Sequence, residues 1–72
     1  MFIFNKKTNT ILNTEKIREI GIEYVGNNNR AIYFDDYERF AEYKTNERAQ
    51  EVLRQIFIAM TDNLKAFELP ED

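Results

Sequence analysis

One stretch of this chain has the period of an amphipathic helix, and its place near the C-terminal end dictates what the rest must do. Ala49, Val52, Leu53, Ile56, Met60 and Leu64 follow the i, i+3, i+4, i+7 rule and form a single apolar stripe. Phe57 lies on its flank, and Arg48, Glu51, Arg54, Gln55 and Asp62 are mostly turned away from it. Thr45 is suited to cap the first turn through its hydroxyl, and Glu47 places a negative charge at the positive end of the helix dipole. A helix from about 46 to 64 with one greasy stripe has to lie on something, and the residues before it read as strands.

Phe2-Ile3-Phe4-Asn5 and Thr10-Ile11-Leu12-Asn13 flank the polar turn Lys6-Lys7-Thr8-Asn9, which makes a first hairpin. After a polar corner at Asn13-Thr14-Glu15-Lys16, the run from Ile17 to Val25 sets Ile20, Ile22 and Tyr24 on one face and Glu19, Gly21 and Glu23 on the other. Gly26-Asn27-Asn28-Asn29 is a strong turn signal, because glycine and asparagine tolerate positive φ. Ala31-Ile32-Tyr33-Phe34 is apolar on consecutive positions, so both faces of that strand want cover. Asp35-Asp36-Tyr37 turns the chain, and Glu38 to Tyr43 returns as a strand with Phe40 facing opposite to Ala41 and Tyr43. The tail from Ala66 alternates apolar and acidic residues and reaches Pro70, so it is extended, with Phe67 and Leu69 available to dock on a sheet edge. The expected fold is α+β in one domain, 1–72: a four- to five-stranded antiparallel β-sheet over about 2–43, packed on one C-terminal amphipathic α-helix (βββββα), then an extended tail, 65–72.

A domain of 72 residues buries only about 60% of the surface its unfolded chain exposes, so it starts with little stability to spare. With no cysteine and no histidine, disulfides and the usual structural zinc sites are excluded, and self-association is the remaining common remedy. No apolar run approaches the roughly 18 to 20 residues of a membrane span, and Met1-Phe2-Ile3-Phe4 stops at Asn5-Lys6-Lys7, short of a signal peptide. The expectation is a cytoplasmic protein without a membrane partner. Net charge is −3 and the ten basic residues are scattered, which disfavours duplex DNA as a partner.

Catalytic chemistries lack their parts. The chain has no histidine, cysteine or serine for a nucleophile and its base, and its only two glycines, Gly21 and Gly26, lie in or beside a strand rather than in a phosphate loop. No catalytic residue, cofactor or metal site is assigned. Asp35-Asp36-Tyr37-Glu38 could in principle hold a hard cation, but a solvated acidic turn is the expected reading. Glu38 and Glu42 would need a cleft to act as a glycosidase pair. Tyr24, Tyr33, Tyr37 and Tyr43 could stack bases, although the basic groove of a single-strand binder is missing.

Ile58 breaks the helix pattern, since at about 100° per residue it falls opposite Ile56 and Met60. Together with Phe57 and the doubly apolar strand, it suggests an oligomer or partner interface formed by Ile58, Phe57, Tyr33, Ala31 and Tyr43. The run Ile11-Leu12-Asn13, Ile17, Ile20 to Ile22, Ala41-Glu42-Tyr43-Lys44-Thr45-Asn46-Glu47-Arg48-Ala49, Val52-Leu53, Ile56 and Leu69-Pro70-Glu71 resembles small uncharacterised proteins of Firmicutes and their phages, built as a β-meander followed by a C-terminal helix. The resemblance covers nearly the whole chain, brings no catalytic residues and implies only a phage or mobile-element origin. The missing catalytic residues and the surplus apolar positions point to a non-enzymatic homo-oligomeric interaction protein, which in such a setting would inhibit a bacterial defence or host enzyme in the manner of an anti-CRISPR. Two alternatives stand beside it: a single-stranded nucleic-acid binder of whirly-like outline, and a nucleotide or small-ligand sponge at a subunit interface.

Overall fold

The computed structural model describes residues 1–35 and 37–71. The order is β1 (Phe2–Asn5), β2 (Thr10–Asn13), a 3-10 turn (Thr14–Lys16), β3 (Ile20–Gly26), β4 (Asn29–Phe34), β5 (Tyr37–Tyr43), α1 (Asn46–Thr61) and β6 (Ala66–Glu68). The fold is α+β, with one C-terminal helix. Its six strands form two three-stranded sheets, β2-β1-β6 and β3-β4-β5, where the sequence suggests one sheet of four or five.

The division has a local cause at the polar corner. The Asn13 side chain accepts the Glu15 N–H at 3.0 Å, and both the Thr14 N–H and its hydroxyl donate to the Met1 carbonyl at 2.9 Å. The corner therefore closes on itself as a single helical turn, and β3 begins only at Ile20 instead of Ile17. A strand that starts there pairs with β4, antiparallel, and not with β2.

The tail supplies the strand missing from the first sheet. β6 lies parallel to β1, with Phe2 opposite Ala66 and Phe4 opposite Glu68, and the Leu69 N–H continues the ladder to the Phe4 carbonyl at 2.9 Å. Phe67 is half-buried against the core and Leu69 is fully part of it, which is the docking that the apolar spacing of the tail suggests.

The turns follow their residue types. Asn27 and Asn28 both have positive φ (51° and 65°), which suits the two-residue connection between β3 and β4. In the first hairpin, Asn9 has φ 56° and the side-chain carbonyl oxygen of Asn5 accepts the N–H groups of Lys7 and Thr8.

The helix is capped at both ends. Thr45 Oγ1 accepts the Arg48 N–H at 3.1 Å. At the other end Asn63 takes φ 56°, its N–H reaches the Met60 carbonyl, and the Leu64 N–H reaches the Ala59 carbonyl at 3.0 Å. That is a Schellman closure with asparagine in the left-handed position. It ends the helix at Thr61, three residues before the periodicity does, and turns Leu64 outward, where it is 48% exposed. Ala49, Val52, Ile56 and Ala59 form the buried stripe, with Leu53 and Met60 partly buried beside it.

Strand β5 departs from simple alternation. Ile32 pairs with Ala41 and Phe34 with Tyr37, so two extra residues of β5 bulge out, with Arg39 at φ 54°. The bulge lets Phe40, Ala41 and Tyr43 all join the core, whereas strict alternation sets Phe40 on the other face. Phe40 meets the Phe34 ring edge-on, with centroids 5.1 Å apart. The two sheets are tied by Asn5, whose amide donates to the Phe40 carbonyl at 2.7 Å. They are tied again by Tyr43, whose hydroxyl donates to the Pro70 carbonyl at 2.7 Å.

Candidate functional site

The residues that the sequence puts forward for an interface divide into two groups. Ile58 is 53% and Phe57 65% exposed, both on the outer half of α1. Ala31 is fully buried and Tyr43 is 3% exposed, so neither offers a side chain to a partner. Tyr43 points into the core on the same face of β5 as Ala41, and burial of its hydroxyl pushes its pKa from 10.0 up to about 12, with the positive charge of Arg48 pulling the other way. Tyr33 is half-buried and lies across Gly21, its cross-strand partner: a Cβ on Gly21 would sit 2.6 Å from the Tyr33 hydroxyl oxygen. The glycine is there to let the ring down onto the strand.

The tyrosines therefore do not form one platform. Tyr24 is 62% exposed and holds the Arg30 guanidinium 4.7 Å from its ring centroid, Tyr33 covers Gly21, and Tyr43 is inside. The side chain of Tyr37 lies outside the described residues, as do Asp36 and the side chain of Glu38, on which a cation site or a carboxylate pair would depend. Asp35 is engaged in holding the backbone together. Its two carboxylate oxygens accept the N–H groups of Arg18 (2.9 Å) and Glu19 (2.7 Å), and its own N–H donates to the Glu19 carbonyl. Among the described residues, no three acidic side chains gather where they could hold a metal ion, and no helix is long and apolar enough to cross a membrane.

A groove of about 540 Å³ runs between the flank of α1 and the segment entering β3. Ile17 and Ile20 line one side, and Leu53, Phe57 and Met60 line the other. Its only charged lining residues are Arg18 and Arg54, both exposed and neither in an ion pair among the described residues. A chain of net charge −3 thus gives this apolar hollow a positive rim. The second hollow, of about 440 Å³, is different in kind: Lys7, Lys44 and Arg48 share it with Glu42 and Glu71, so its charges largely offset one another.

The groove adjoins an unpaired strand edge. Because the Asp35 N–H donates to the Glu19 carbonyl, alternation makes Gly21/Tyr33 and Glu23/Ala31 the hydrogen-bonded pairs of β3 and β4. Ile20, Ile22 and Tyr24 then direct their N–H and C=O groups away from β4, and among the described residues no other segment takes them. No residue of β3 is buried, whereas Ala31, Ile32 and Phe34 of the central strand β4 are. Sequence periodicity finds Ile20, Ile22 and Tyr24 as one face of a strand but cannot show that β3 is an edge, because that depends on where β2 goes.

Comparison with protein-family models, with curated proteins and with solved structures finds no match to this chain.

Proposed function

We propose that the protein is a non-enzymatic, homo-oligomeric interaction protein that serves a phage or mobile element by binding and blocking a bacterial defence or host enzyme in the host cytoplasm. The observation that carries the binding reading is the amount of large apolar surface left outside the core. Phe2, Ile11, Tyr24, Phe57, Ile58 and Leu64 are each about half exposed or more. Such a distribution in so small a domain fits a surface waiting for a partner better than a self-sufficient monomer. The phage setting rests on the sequence resemblance alone.

Solution mass tests the self-association. Light scattering should give a multiple of 8.7 kDa. Ile58→Glu should lower that mass while leaving the helical circular dichroism intact, because the side chain is 53% exposed and lies outside the buried stripe of the helix. A wild-type monomer, or equal masses for the two proteins, refutes this part of the proposal.

The single-strand reading has one observation in its favour, the exposed Tyr24 ring with Arg30 stacked on it. A salt titration of an oligonucleotide complex separates the two: binding that collapses as salt rises is a phosphate-driven contact, and an apolar protein interface does not behave so.

A further inference from the structure

We infer that the groove between α1 and β3 receives an extended, acidic and apolar segment of a partner polypeptide, which adds to the free edge of β3 as a fourth strand of that sheet. The inference rests on the reading of this protein as a binding module, and is independent of self-association through the Ile58 face of α1. Three features converge. The first is main chain: Ile20, Ile22 and Tyr24 present unpaired donors and acceptors in the pattern an incoming strand requires.

The second is that this edge lacks the devices that blunt the others. β6 is three residues long and carries Glu68, β2 is only four residues long with polar Thr10 and Asn13 at its ends, and β5 is broken by the bulge at Arg39 and carries Glu42. β3 runs for seven residues with a single charge, Glu23, and no proline or lysine. Protein edges of that length are ordinarily protected against unwanted pairing, so an open one is a docking site or a hazard.

The third feature is the chemistry beside the edge. Side chains on one face of an added strand would enter a hollow with apolar walls, where Phe57 is 65% exposed for want of a neighbour. Arg18 and Arg54 stand in a lining that includes no acidic residue, which favours carboxylates in the occupant over lysine or arginine. A second copy of this chain is a weaker fit. Two β3 edges meeting would bring two copies of Arg18 and Arg54 to one interface, and like charges there oppose the pairing.

The test uses the full chain and a labelled heptapeptide, Glu-Thr-Val-Thr-Val-Thr-Glu, which sets valines and glutamates on one face of a strand. Fluorescence anisotropy should show saturable binding. Affinity should fall by about tenfold or more for the Arg18→Glu/Arg54→Glu protein, as expected when charge-assisted contacts are replaced by repulsion. Both side chains are exposed, so circular dichroism should be unchanged. The peptide with lysines in place of the glutamates should not bind. A peptide N-methylated at alternate residues, on the side that would face β3, should lose binding too, because it cannot complete the ladder. Ile58→Glu should leave peptide affinity unchanged, which separates failure of this site from failure of the oligomer reading. The inference is overturned by absence of binding to the wild-type protein, by equal affinity for the double variant or the lysine peptide, by retained binding of the N-methylated peptide, or by an edge that is already covered by a second copy in solution.

Discussion

Tyr43→Phe removes one oxygen atom, and the structure says what that atom does. The ring is 3% exposed and its hydroxyl donates to the Pro70 carbonyl at 2.7 Å, fastening the tail that carries β6 and Leu69 to the second sheet. Loss of one such bond costs about 1 kcal/mol near neutral pH, which for a domain of this size lowers the melting temperature by about 4–8 °C. At high pH the sign reverses. The folded-state pKa stands at about 12 against 10.0 for the unfolded chain, so the folded protein keeps a proton that the unfolded chain gives up. Stability is complete below pH 10 and is lost as pH rises toward 12, by about 3 kcal/mol over the two units. Phenylalanine has no proton to lose there. Other titrating groups are common to both proteins and cancel in the difference, so the two stability curves should cross roughly half a unit to one unit above pH 10. Urea unfolding at a series of pH values from about 8 to 11.5 measures the crossing. Parallel curves over that range would refute the claim that this hydroxyl is buried and bonded, and equal melting temperatures at neutral pH would remove the fastening of the tail.

Three other substitutions probe separate joints. Thr45→Ala should destabilise by about 1 kcal/mol through loss of the cap on the Arg48 N–H, with Thr45→Ser restoring most of it; identical urea midpoints for all three proteins would deny the cap any weight. Asn5→Leu strips the donor from the Phe40 carbonyl and the acceptor from the Lys7 and Thr8 N–H groups, and leaving that buried carbonyl unpaired should cost about 1–3 kcal/mol; a variant as stable as the parent in thermal melts would mean the sheets are held together without it. Gly21→Val should cost about 1–3 kcal/mol by lifting the Tyr33 ring, and considerably less in a Tyr33→Ala background; equal costs in the two backgrounds would show that the ring is not the obstacle.

What could be read from the sequence was whatever short-range chemistry decides. The cap at Thr45, the asparagine turn at Asn27-Asn28 and the stripe of Ala49, Val52 and Ile56 depend on residues within a few positions of one another, and each stands where its chemistry puts it. The helix end at Thr61 depends on Asn63 adopting a left-handed conformation, a signal present in the sequence but overridden by the apparent continuation of the stripe to Leu64. The bulge at Arg39 has no local signature, since arginine is not a residue that seeks positive φ, and it reverses the facing expected for Phe40. The split into two sheets was further out of reach, because one turn at Thr14–Lys16 decides it only by bonding to Met1. The groove inherits that difficulty: Arg18 and Arg54 are 36 positions apart and come together only because β3 starts late and lies against α1.

The parallel pairing of β1 with β6 bears on how self-association should be tested. The two strands stand at opposite ends of the chain, and everything between them, including the helix, forms the connection. Removing residues from 66 onward would therefore do more than shorten a tail. It would open the outer edge of β1, withdraw Leu69 from the core and leave the Tyr43 hydroxyl without the Pro70 carbonyl. A shortened chain should then pair through β1 whatever the intact protein does, since a bare strand edge beside an apolar core is itself adhesive. Oligomers of such a chain carry no information about Ile58. Only the intact chain, in which β6 already covers that edge, can show whether the exposed helix face brings two copies together, and only there does the open edge of β3 remain as a separate place for a partner strand.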